Sequence, residues 1–441
     1  MAEETDLLIV GAGAKAAGIA AKVHAINTLG LGPISVRIVE GTEVAASWKG
    51  RNGMTSGEEP LAVTPIKDIG FPYQSWREFG EAGEAIDEQA MAFTWQRYMV
   101  SQRRYARWID AGAPSVRHRD YGEYLTWVLS RATEGIDHVQ GTVTEVSLDE
   151  AGGRWVADVA GTAGSARYLA GGLVLTGPGV HRAFPHEPEI AGRVFHCDSK
   201  RGEFATLPNE EPVDVAVVGG GESALSCVMF LRGFRPKARC TIYTPMLPMS
   251  RGESFLENRV FSNPDEIEWE SLDIQTRRDF VKHSDRGVFD PPSLAAIGYD
   301  DRVRFVKGRV GDVGAAGGGE RVRIEYVAAE GPTSSEHDYV VNCTGFDLLA
   351  QLRTLFPDEV RERIEERVGK LWDAPPGTEV PIGRNLELKG MEPRLQIPGL
   401  AGLSQGPGFA NLGALGLLSN RVLQPFSVPD FPALARKQQI A

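Results

Sequence analysis

The amino-acid sequence predicts an α/β protein, and two stretches of the chain carry that prediction. Residues 7–18 (LLIVGAGAKAAG) and 215–224 (VAVVGGGESA) each place an apolar run before closely spaced glycines and a small-residue segment. Such runs are typical of buried strands, and the segments after them favour a helix. The 441 residues suffice for two or three domains.

Composition disfavours several classes of partner. The net charge is −12, from 47 basic and 59 acidic residues, which disfavours a general nucleic-acid or anionic-membrane surface. No apolar run approaches the roughly 18 residues of a membrane helix, and the acidic N-terminus is unlike a signal peptide. The four cysteines form no CxxC pair, which fits a reducing cytoplasm and gives no metal or redox-disulfide motif: Cys197, Cys227, Cys240 and Cys343.

Around the first of these stretches, the sequence predicts a strand–helix–strand unit, with a strand at 6–10, a helix at 14–28 and a second strand at 35–40. Its motif is Gly11-x-Gly13-x-x-Ala16. The first glycine makes a tight turn, the second admits a pyrophosphate, and the small third residue lets helix and strand pack.

The second strand of this unit ends in Glu40, where an acid hydrogen-bonds a ribose. Glu40 comes later than the usual spacing of about 20 residues, and the insertion HAINTLGLGPIS accounts for the delay. A plain glycine turn is the alternative. The strand, helix and acid together predict a dinucleotide site.

The second unit repeats this arrangement with Gly219-x-Gly221-x-x-Ala224. Its second strand, predicted over 239–245, ends near Thr244 without an acid. An acid there would favour a free 2′-hydroxyl and repel a 2′-phosphate. Its absence permits NADPH, which is therefore the predicted ligand of this unit.

Two such motifs in one chain predict electron transfer between two dinucleotides, with FAD at the first and NAD(P)H at the nested second. Two strand-end turns support this order: residues 175–178 (LTGP) and 343–346 (CTGF) resemble turns of two-dinucleotide flavoproteins. Thr344 and Gly345 are accordingly predicted to contact cofactor. A plain strand end is the alternative for either turn alone.

Two observations narrow the set of possible electron acceptors for the flavin. No cysteine pair follows the first motif, which disfavours a disulfide reductase. Ile190-x-Gly192-x-x-x-His196 only partly matches the F-x-G-x-x-x-H of common flavin monooxygenases, because the leading aromatic is missing. Oxygen chemistry of another subgroup is therefore indicated.

The rest of the chain predicts further elements around these units. Helices are expected at 93–100, 121–132, within the polar stretch 264–300, and at 411–424, with strands returning over 303–345 around a flexible GAAGGG loop at 314–319.

In chain order, several segments resemble the microbial N-hydroxylating lysine and ornithine monooxygenases of siderophore synthesis. The resemblance is closest to the mycobactin/nocobactin-type lysine N6-monooxygenases of actinobacteria and covers almost the whole chain. It rests on GAGAKA, IKDIGFPY (66–73), RGESFLEN, DRGVF, DYVVNCTGF (338–346) and QGPGFANL.

The resemblance implies a function and a mechanism. NADPH would reduce FAD, the reduced flavin would form a C4a-hydroperoxide with O₂, and the neutral amine of L-lysine would attack it to give N6-hydroxylysine. No covalent nucleophile of the protein is needed. A free lysine amine has a pKa of about 10.4, so a dry, hydrogen-bonded pocket must favour its unprotonated form.

The resemblance also implies a substrate site. Lys67 matches the lysine that meets the substrate carboxylate, and Asn258 the asparagine that binds the substrate backbone. Asp285 falls where ornithine enzymes have an asparagine near the amine and the nicotinamide ribose. A solvated lysine, a structural cap and a purely cofactor contact are the respective alternatives. Ala62 replaces a glutamine common in the family, which removes one contact.

Other positions are implied to contact cofactors. Glu222, beside Ser223, replaces a glutamine that helps hold the flavin intermediate, so coupling could differ. Thr244 stands where ornithine enzymes bind the 2′-phosphate with an arginine, which leaves NADH open as a second donor, and Arg251 is a substitute cation. Flavin contacts are expected from Trp48, with a core aromatic as the alternative, and from Asn411 at the start of the last helix.

We therefore expect two Rossmann-like dinucleotide-binding domains with a small helical substrate region. Residues 1–207 and 336–441 would form the FAD domain, and 208–335 the NADPH domain, with the substrate region at about 253–300. The family favours a dimer or tetramer. Three alternatives stay open: an ornithine hydroxylase, another diamine hydroxylase, and an uncoupled NADPH oxidase or redox-binding flavoprotein.

Overall fold

The computed structural model has the α/β architecture that the sequence predicts. The structure describes residues 3–51, 55–149, 151, 153–162, 164–190, 192–199, 202–246, 248–372 and 378–427. Over these ranges, no helix has the length and apolar character needed to cross a membrane.

The strands and helices follow one another as listed here in chain order. The strands are β1 (Glu3–Val10), β2 (Val36–Glu40), β3 (Ile136–Gln140), β4 (Thr142–Leu148), β5 (Trp155–Gly161), β6 (Gly164–Leu175), β7 (Val180–His181), β8 (Val194–His196), β9 (Val213–Val218), β10 (Ala238–Thr244), β11 (Val303–Lys307), β12 (Arg309–Ala316), β13 (Arg321–Ala328), β14 (Gly331–His337), β15 (Tyr339–Asn342), β16 (Phe346–Asp347) and β17 (Arg394–Gln396). The helices are α1 (Ala14–Thr28), α2 (Trp76–Phe79), α3 (Gly83–Ala90), α4 (Trp95–Ser101), α5 (Tyr105–Asp110), α6 (His118–Arg131), α7 (Glu222–Phe234), α8 (Phe255–Ser262), α9 (Ile274–Ser284), α10 (Pro291–Gly298), α11 (Leu348–Leu355), α12 (Asp358–Val368), α13 (Ala401–Ser404) and α14 (Leu415–Leu423).

The first sheet has the order β3-β2-β1-β6-β5-β4, and β17 also pairs with β6. β1 lies parallel to both β2 and β6, so β1-α1-β2 is the predicted first unit. Leu7 and Ile9 of β1 are fully buried. α1 is rich in alanine and packs against α14, α3 and α6, because small side chains let helices approach closely.

The second sheet is parallel throughout, in the order β11-β10-β9-β15-β8. β9-α7-β10 is the predicted second unit. A separate antiparallel sheet, β12-β13-β14, packs on it: Val313 and Ile324 of the small sheet share one apolar cluster with Ala216 and Val218 of β9.

The chain crosses between the two large sheets twice, and the two crossings pair with each other. β7 lies on the outgoing segment and β16 on the returning one, with His181 opposite Phe346. β8 precedes residue 208 and β15 follows residue 335, yet both strands belong to the second sheet. The predicted division into domains stays a prediction.

Two predicted elements are wrong in their extent. The last helix begins at Leu415, not Asn411, because the Asn411 side chain accepts a hydrogen bond from the backbone N–H of Gly413 at 2.7 Å and forms a turn. The predicted GAAGGG loop is shorter, because residues 314–316 belong to β12 and pair with residues 321–323 of β13.

Candidate active site

The first glycine turn joins β1 to α1 and is open on one side. Gly11 has φ +96°, and a Cβ there would lie 2.7 Å from the Thr176 hydroxyl oxygen. A Cβ on Gly13 would meet nothing within 4 Å. Ala16 is fully buried against the sheet. The turn therefore leaves room for a ligand at Gly13, as a pyrophosphate-binding turn requires.

Glu40 ends β2 beside this turn and braces it. One carboxylate oxygen accepts a hydrogen bond from the Ala12 N–H at 2.9 Å, and the other accepts one from the Thr42 N–H at 2.8 Å. Glu40 also lines the cavity above the turn. It occupies the position from which an acid reaches a ribose.

A cavity of about 1300 Å³ extends from this turn and brings distant parts of the chain together. It is larger than the pockets of about 300–1,000 Å³ that usually hold drug-sized ligands, as a dinucleotide site should be. The predicted cofactor and substrate residues among its walls are Gly11, Gly13, Glu40, Trp48, Ser223, Asp285, Gly345 and Asn411.

Trp48 forms part of the cavity wall and is fixed by two aromatic neighbours. Its ring meets His118 at 5.2 Å between centroids and Tyr121 at 5.3 Å, both edge to face. Trp48 is therefore both a packed aromatic and a cavity residue, so the two alternatives that the sequence left open are compatible.

The second glycine turn joins β9 to α7 and is more closely surrounded. Gly219 has φ +144° and packs against the carbonyl of Cys343, while Gly220 packs against the buried Thr244. A Cβ on Gly221 would have its nearest neighbour, the backbone nitrogen of Gly287, at 3.7 Å. Ala224 of α7 is fully buried.

The carboxylate of Glu222, the first residue of α7, faces the guanidinium of Arg251 at 3.4 Å. Burial raises the pKa of Glu222 to about 7, and the charge of Arg251 opposes that rise. A group that titrates near neutral pH thus occupies the N-terminus of α7, where a helix favours negative charge.

The two residues predicted to bind substrate meet directly. Lys67 donates a hydrogen bond from Nζ to Oδ1 of Asn258 at 2.7 Å, although 191 positions separate them in the chain. Asn258 in turn donates to the carbonyl of Glu253 at 2.9 Å, and Ser254 caps α8 with a capping box. These contacts orient the amide oxygen of Asn258 toward Lys67.

Arg251 joins this pair rather than standing alone. Its Nη2 donates a hydrogen bond to the carbonyl of Ala62 at 2.8 Å, and it forms an ion pair with Glu253. Burial, followed by the charge of Arg251, lowers the pKa of Lys67. We call Lys67, Arg251 and Asn258 the cationic cluster. Glu253 and Glu222 pair with Arg251, whereas no carboxylate of the described residues pairs with Lys67, which is therefore the cation most open to an anionic ligand.

Asp285 and Asn411 also meet, at the cavity wall. Nδ2 of Asn411 donates to Oδ1 of Asp285 at 3.1 Å, and Arg286 pairs with the other oxygen of Asp285 at 3.0 Å. Asp285 follows α9 and lies two residues before Gly287, which faces the second glycine turn. Asp285 is therefore placed between the cavity and that turn.

The CTGF turn divides into a cavity residue and an exposed one. Gly345, with φ +100°, lines the cavity, whereas Thr344 is exposed and its hydroxyl donates to Oδ1 of Asn342 at 2.7 Å. Any contact between Thr344 and a cofactor stays a prediction.

Two lysines that the sequence motifs did not single out lie in or beside these sites. Lys15, inside the first motif, lines the cavity and donates to the carbonyl of Ala410 at 3.2 Å. Lys307 ends β11 exactly opposite Thr244 in the parallel register and is exposed. The signal for Lys15 was its place inside GAGAKA. For Lys307 it was a cation ending the predicted strand VRFVK.

Comparison with known proteins identifies the family. The profile of the L-lysine 6-monooxygenase/L-ornithine 5-monooxygenase family matches residues 88–348, more than half of the chain. This chain belongs to that family.

Relatives extend the family match to nearly full length. L-lysine N6-monooxygenase MbtG of Mycolicibacterium paratuberculosis is 33% identical over 442 residues, 99% of each chain. MbtG of Mycobacterium tuberculosis is 34% identical over 425 residues, 95% of this chain and 94% of that protein. The solved lysine monooxygenase NbtG from Nocardia farcinica is 34% identical with a TM-score of 0.79, covering 95% of this chain and 99% of that one.

Proposed function

We propose that this family member is an FAD- and NADPH-dependent monooxygenase that converts the side-chain amine of L-lysine to N6-hydroxylysine. Relatives one-third identical over nearly the whole chain are named lysine monooxygenases. In this proposal the product enters the assembly of a hydroxamate siderophore of the mycobactin kind, and the reaction takes place in the cytoplasm.

The meeting of Lys67 with Asn258 supports an amino-acid substrate over a diamine, and the named relatives support lysine over ornithine. A lysine substrate presents an α-carboxylate, and the cationic cluster offers Lys67 to an anion. Charge-assisted hydrogen bonds of this kind contribute about 1.5–3 kcal/mol each. A diamine lacks the carboxylate and would gain none of this.

The first glycine turn and its cavity suit FAD. Gly11, Gly13 and Ala16 would hold the pyrophosphate end, and Glu40 the ribose, since a Cβ on Gly13 would enter otherwise open space. We expect the flavin to be flanked by Trp48, Gly345 and Asn411, because they line the same cavity. All three lie outside the glycine turn, which would hold the pyrophosphate.

The second glycine turn suits NADPH. Gly219, Gly221 and Ala224 would place the pyrophosphate at the start of α7, with Glu222, Ser223, Thr244 and Thr344 around it. Arg251 was expected to meet the 2′-phosphate, but its hydrogen bond to Ala62 supports a place in the substrate site instead. We propose Lys307, which is register-paired with Thr244, as the cation for the 2′-phosphate.

When bound, FAD supplies the transfer of electrons from NADPH to O₂. One NADPH, one O₂ and one proton are consumed for each hydroxylamine and water formed. The protein must hold the substrate amine unprotonated, and a free lysine amine has a pKa of about 10.4. A dry pocket around the amine would disfavour its charged form. Asp285, hydrogen-bonded to Asn411, would position the amine end.

Further parts of the proposal concern organisation. Residues 1–207 and 336–441 would form the FAD domain and 208–335 the NADPH domain, with a substrate region at about 253–300. Asn258 on α8 and Asp285 after α9 support that last placement. We also propose a dimer or tetramer.

The test is turnover of the purified, FAD-loaded protein with L-lysine, L-ornithine, cadaverine or no amine, following hydroxylamine and NADPH together. We expect hydroxylamine mainly from lysine, in nearly equal amount to the NADPH consumed. Product mainly from ornithine or cadaverine would replace lysine by that amine. NADPH consumption without hydroxylamine from any of the three would indicate an uncoupled oxidase.

A further inference from the structure

Lys15 lies in the first turn of α1, inside the first glycine motif, and has no role in the proposed function so far. Its ammonium donates a hydrogen bond to the carbonyl of Ala410 at 3.2 Å, and its side chain lines the cavity. Ala410 immediately precedes Asn411, so this lysine joins the glycine turn to the segment proposed to flank the flavin.

The pKa of Lys15 is low for a half-buried lysine. Burial, followed by the charge of Arg286, lowers its pKa to about 8. Within the described ranges, no carboxylate pairs with it, and the Ala410 carbonyl accepts from one of its three N–H donors. Two donors thus remain for a ligand of the cavity.

Lys22, seven residues further along α1, shows how the same helix accommodates a fully buried lysine. Its ammonium pairs with Asp87 at 3.1 Å and donates to the Ser75 hydroxyl at 2.6 Å. A buried cation without an anion is costly. The fold supplies that anion for Lys22, whereas for Lys15 it leaves the neighbouring space to the cavity.

We propose that Lys15 contacts the flavin ring of bound FAD and favours its reduced form. Hydride brings two electrons and one proton, so the reduced ring carries one more negative charge than the oxidised ring. A cation held against the ring stabilises that added charge, and charge near the ring is a recognised means of tuning a flavin. This inference rests on the proposed function, since it requires FAD in the cavity.

A second source of negative charge in the same ligand is the pyrophosphate, which would meet the turn at Gly13. Contact with the pyrophosphate would strengthen the binding of oxidised and reduced FAD equally, because the charge of the pyrophosphate does not change on reduction. Contact with the ring would strengthen the binding of reduced FAD more than that of oxidised FAD. The ratio of the two affinities therefore separates the two positions of the lysine.

The experiment compares Lys15→Gln, Lys15→Met and Lys15→Arg in the full-length protein, measuring the dissociation constant of oxidised FAD and the midpoint potential of the bound flavin. Glutamine keeps a donor for Ala410 without the charge, and arginine keeps the charge. We expect the affinity ratio of reduced to oxidised FAD to fall about tenfold in the Gln and Met variants, which is 29.6 mV for two electrons. Arginine should stay within about threefold of the unaltered protein.

Lys237→Gln is the matched control, because Lys237 is exposed, pairs with Glu210 at the surface and does not line the cavity. It should leave the affinity ratio within about twofold. An equal fall in the control would overturn the inference, as would equal weakening of both forms of FAD in Lys15→Gln or an unchanged potential. Failure of the unaltered protein to bind FAD would overturn the proposed function itself.

Discussion

The two glycine turns share one local fold and differ in what surrounds them. Each begins a helix from an extended glycine, Gly13 with φ −92° and Gly221 with φ −123°, after a buried strand. The first opens into a cavity of about 1300 Å³, whereas the backbone of Gly287 lies near the second. We expect the open turn to hold the flavin and the more closely surrounded turn to hold the nicotinamide dinucleotide.

The charges next to the turns differ as well. Lys15 stands in the first turn of α1 and Glu222 in the first turn of α7, while the following strands end in Glu40 and Thr244. In the proposed function, the backbone motif binds phosphate at both sites, and the side chains at the helix start and strand end distinguish the two ligands.

Alanine at the two extended glycines is the largest expected break in this comparison. Both positions have backbone angles that alanine adopts, so Gly13→Ala and Gly221→Ala should fold. The added methyl group at Gly13 enters the proposed pyrophosphate space, and we expect FAD affinity to fall by about 100-fold, or about 2.7 kcal/mol. Flavin absorbance and a binding titration measure this.

Gly221→Ala is the counterpart at the other turn. It should retain yellow flavin, with the KM for NADPH raised about tenfold. Loss of FAD from this variant, or full FAD binding by Gly13→Ala, would contradict the assignment of the ligands to the turns.

We expect the next largest effect at the cationic cluster. Its member Arg251 connects it to the second glycine turn through the ion pair with Glu222. Lys67→Met removes one charged contact to the substrate carboxylate, worth about 1.5–3 kcal/mol. The KM for L-lysine should rise about 10- to 100-fold, with turnover of cadaverine unchanged. Steady-state hydroxylamine formation measures both.

Lys237→Met is the control for this prediction, since Lys237 is exposed and pairs with Glu210 at the surface. It should behave as the unaltered protein. If Lys67→Met impairs lysine and cadaverine to the same extent, Lys67 does not bind the carboxylate.

Lys15 predicts how FAD binding to the flavin-free protein depends on pH. Its pKa is lowered to about 8, so it is mostly charged at pH 7 and mostly neutral at pH 9. Because the charged form favours the anionic reduced ring, the affinity ratio of reduced to oxidised FAD should fall about tenfold over that interval. Lys15→Arg should flatten the profile, since arginine stays charged. A slope that persists in Lys15→Arg would assign it to another group.

At the second glycine turn, we expect Glu222 to cause a smaller pH dependence, in the KM for NADPH and with a different midpoint pH. Its pKa is raised to about 7, so it becomes charged as the pH rises through neutrality. A carboxylate at the start of α7 repels the phosphates of NADPH, and the KM for NADPH should rise about threefold between pH 6 and 8. Initial rates in Glu222→Gln should lack this rise. An identical profile in that variant would exclude Glu222 as its cause.

Much of this arrangement was predictable from the sequence. The strands and glycines of both units follow local rules, so β1-α1-β2 and β9-α7-β10 were found at nearly their true bounds. The resemblance also singled out Lys67 and Asn258, which meet across 191 positions. Local patterning and family motifs identify such residues without giving their distances.

Other features depend on contacts that local patterns do not contain. The helix expected from Asn411 begins later because the side chain of Asn411 turns back to Gly413. Arg251 donates a hydrogen bond to the backbone carbonyl of Ala62. From the sequence, this position shows only that the glutamine common in the family is missing, and not that an arginine reaches it. Lys15 is notable only because no carboxylate among the described residues pairs with it, and that is a property of the packed cavity.

Oxygen transfer to the side chain of lysine is the central claim, and labelled O₂ tests it most directly. The FAD-loaded protein would be incubated with L-lysine, NADPH and ¹⁸O₂, and the product analysed by mass spectrometry with fragmentation. One labelled oxygen on the side-chain nitrogen of lysine is the predicted result. Consumption of NADPH with all of the label in hydrogen peroxide or water, and unmodified lysine, would contradict the account.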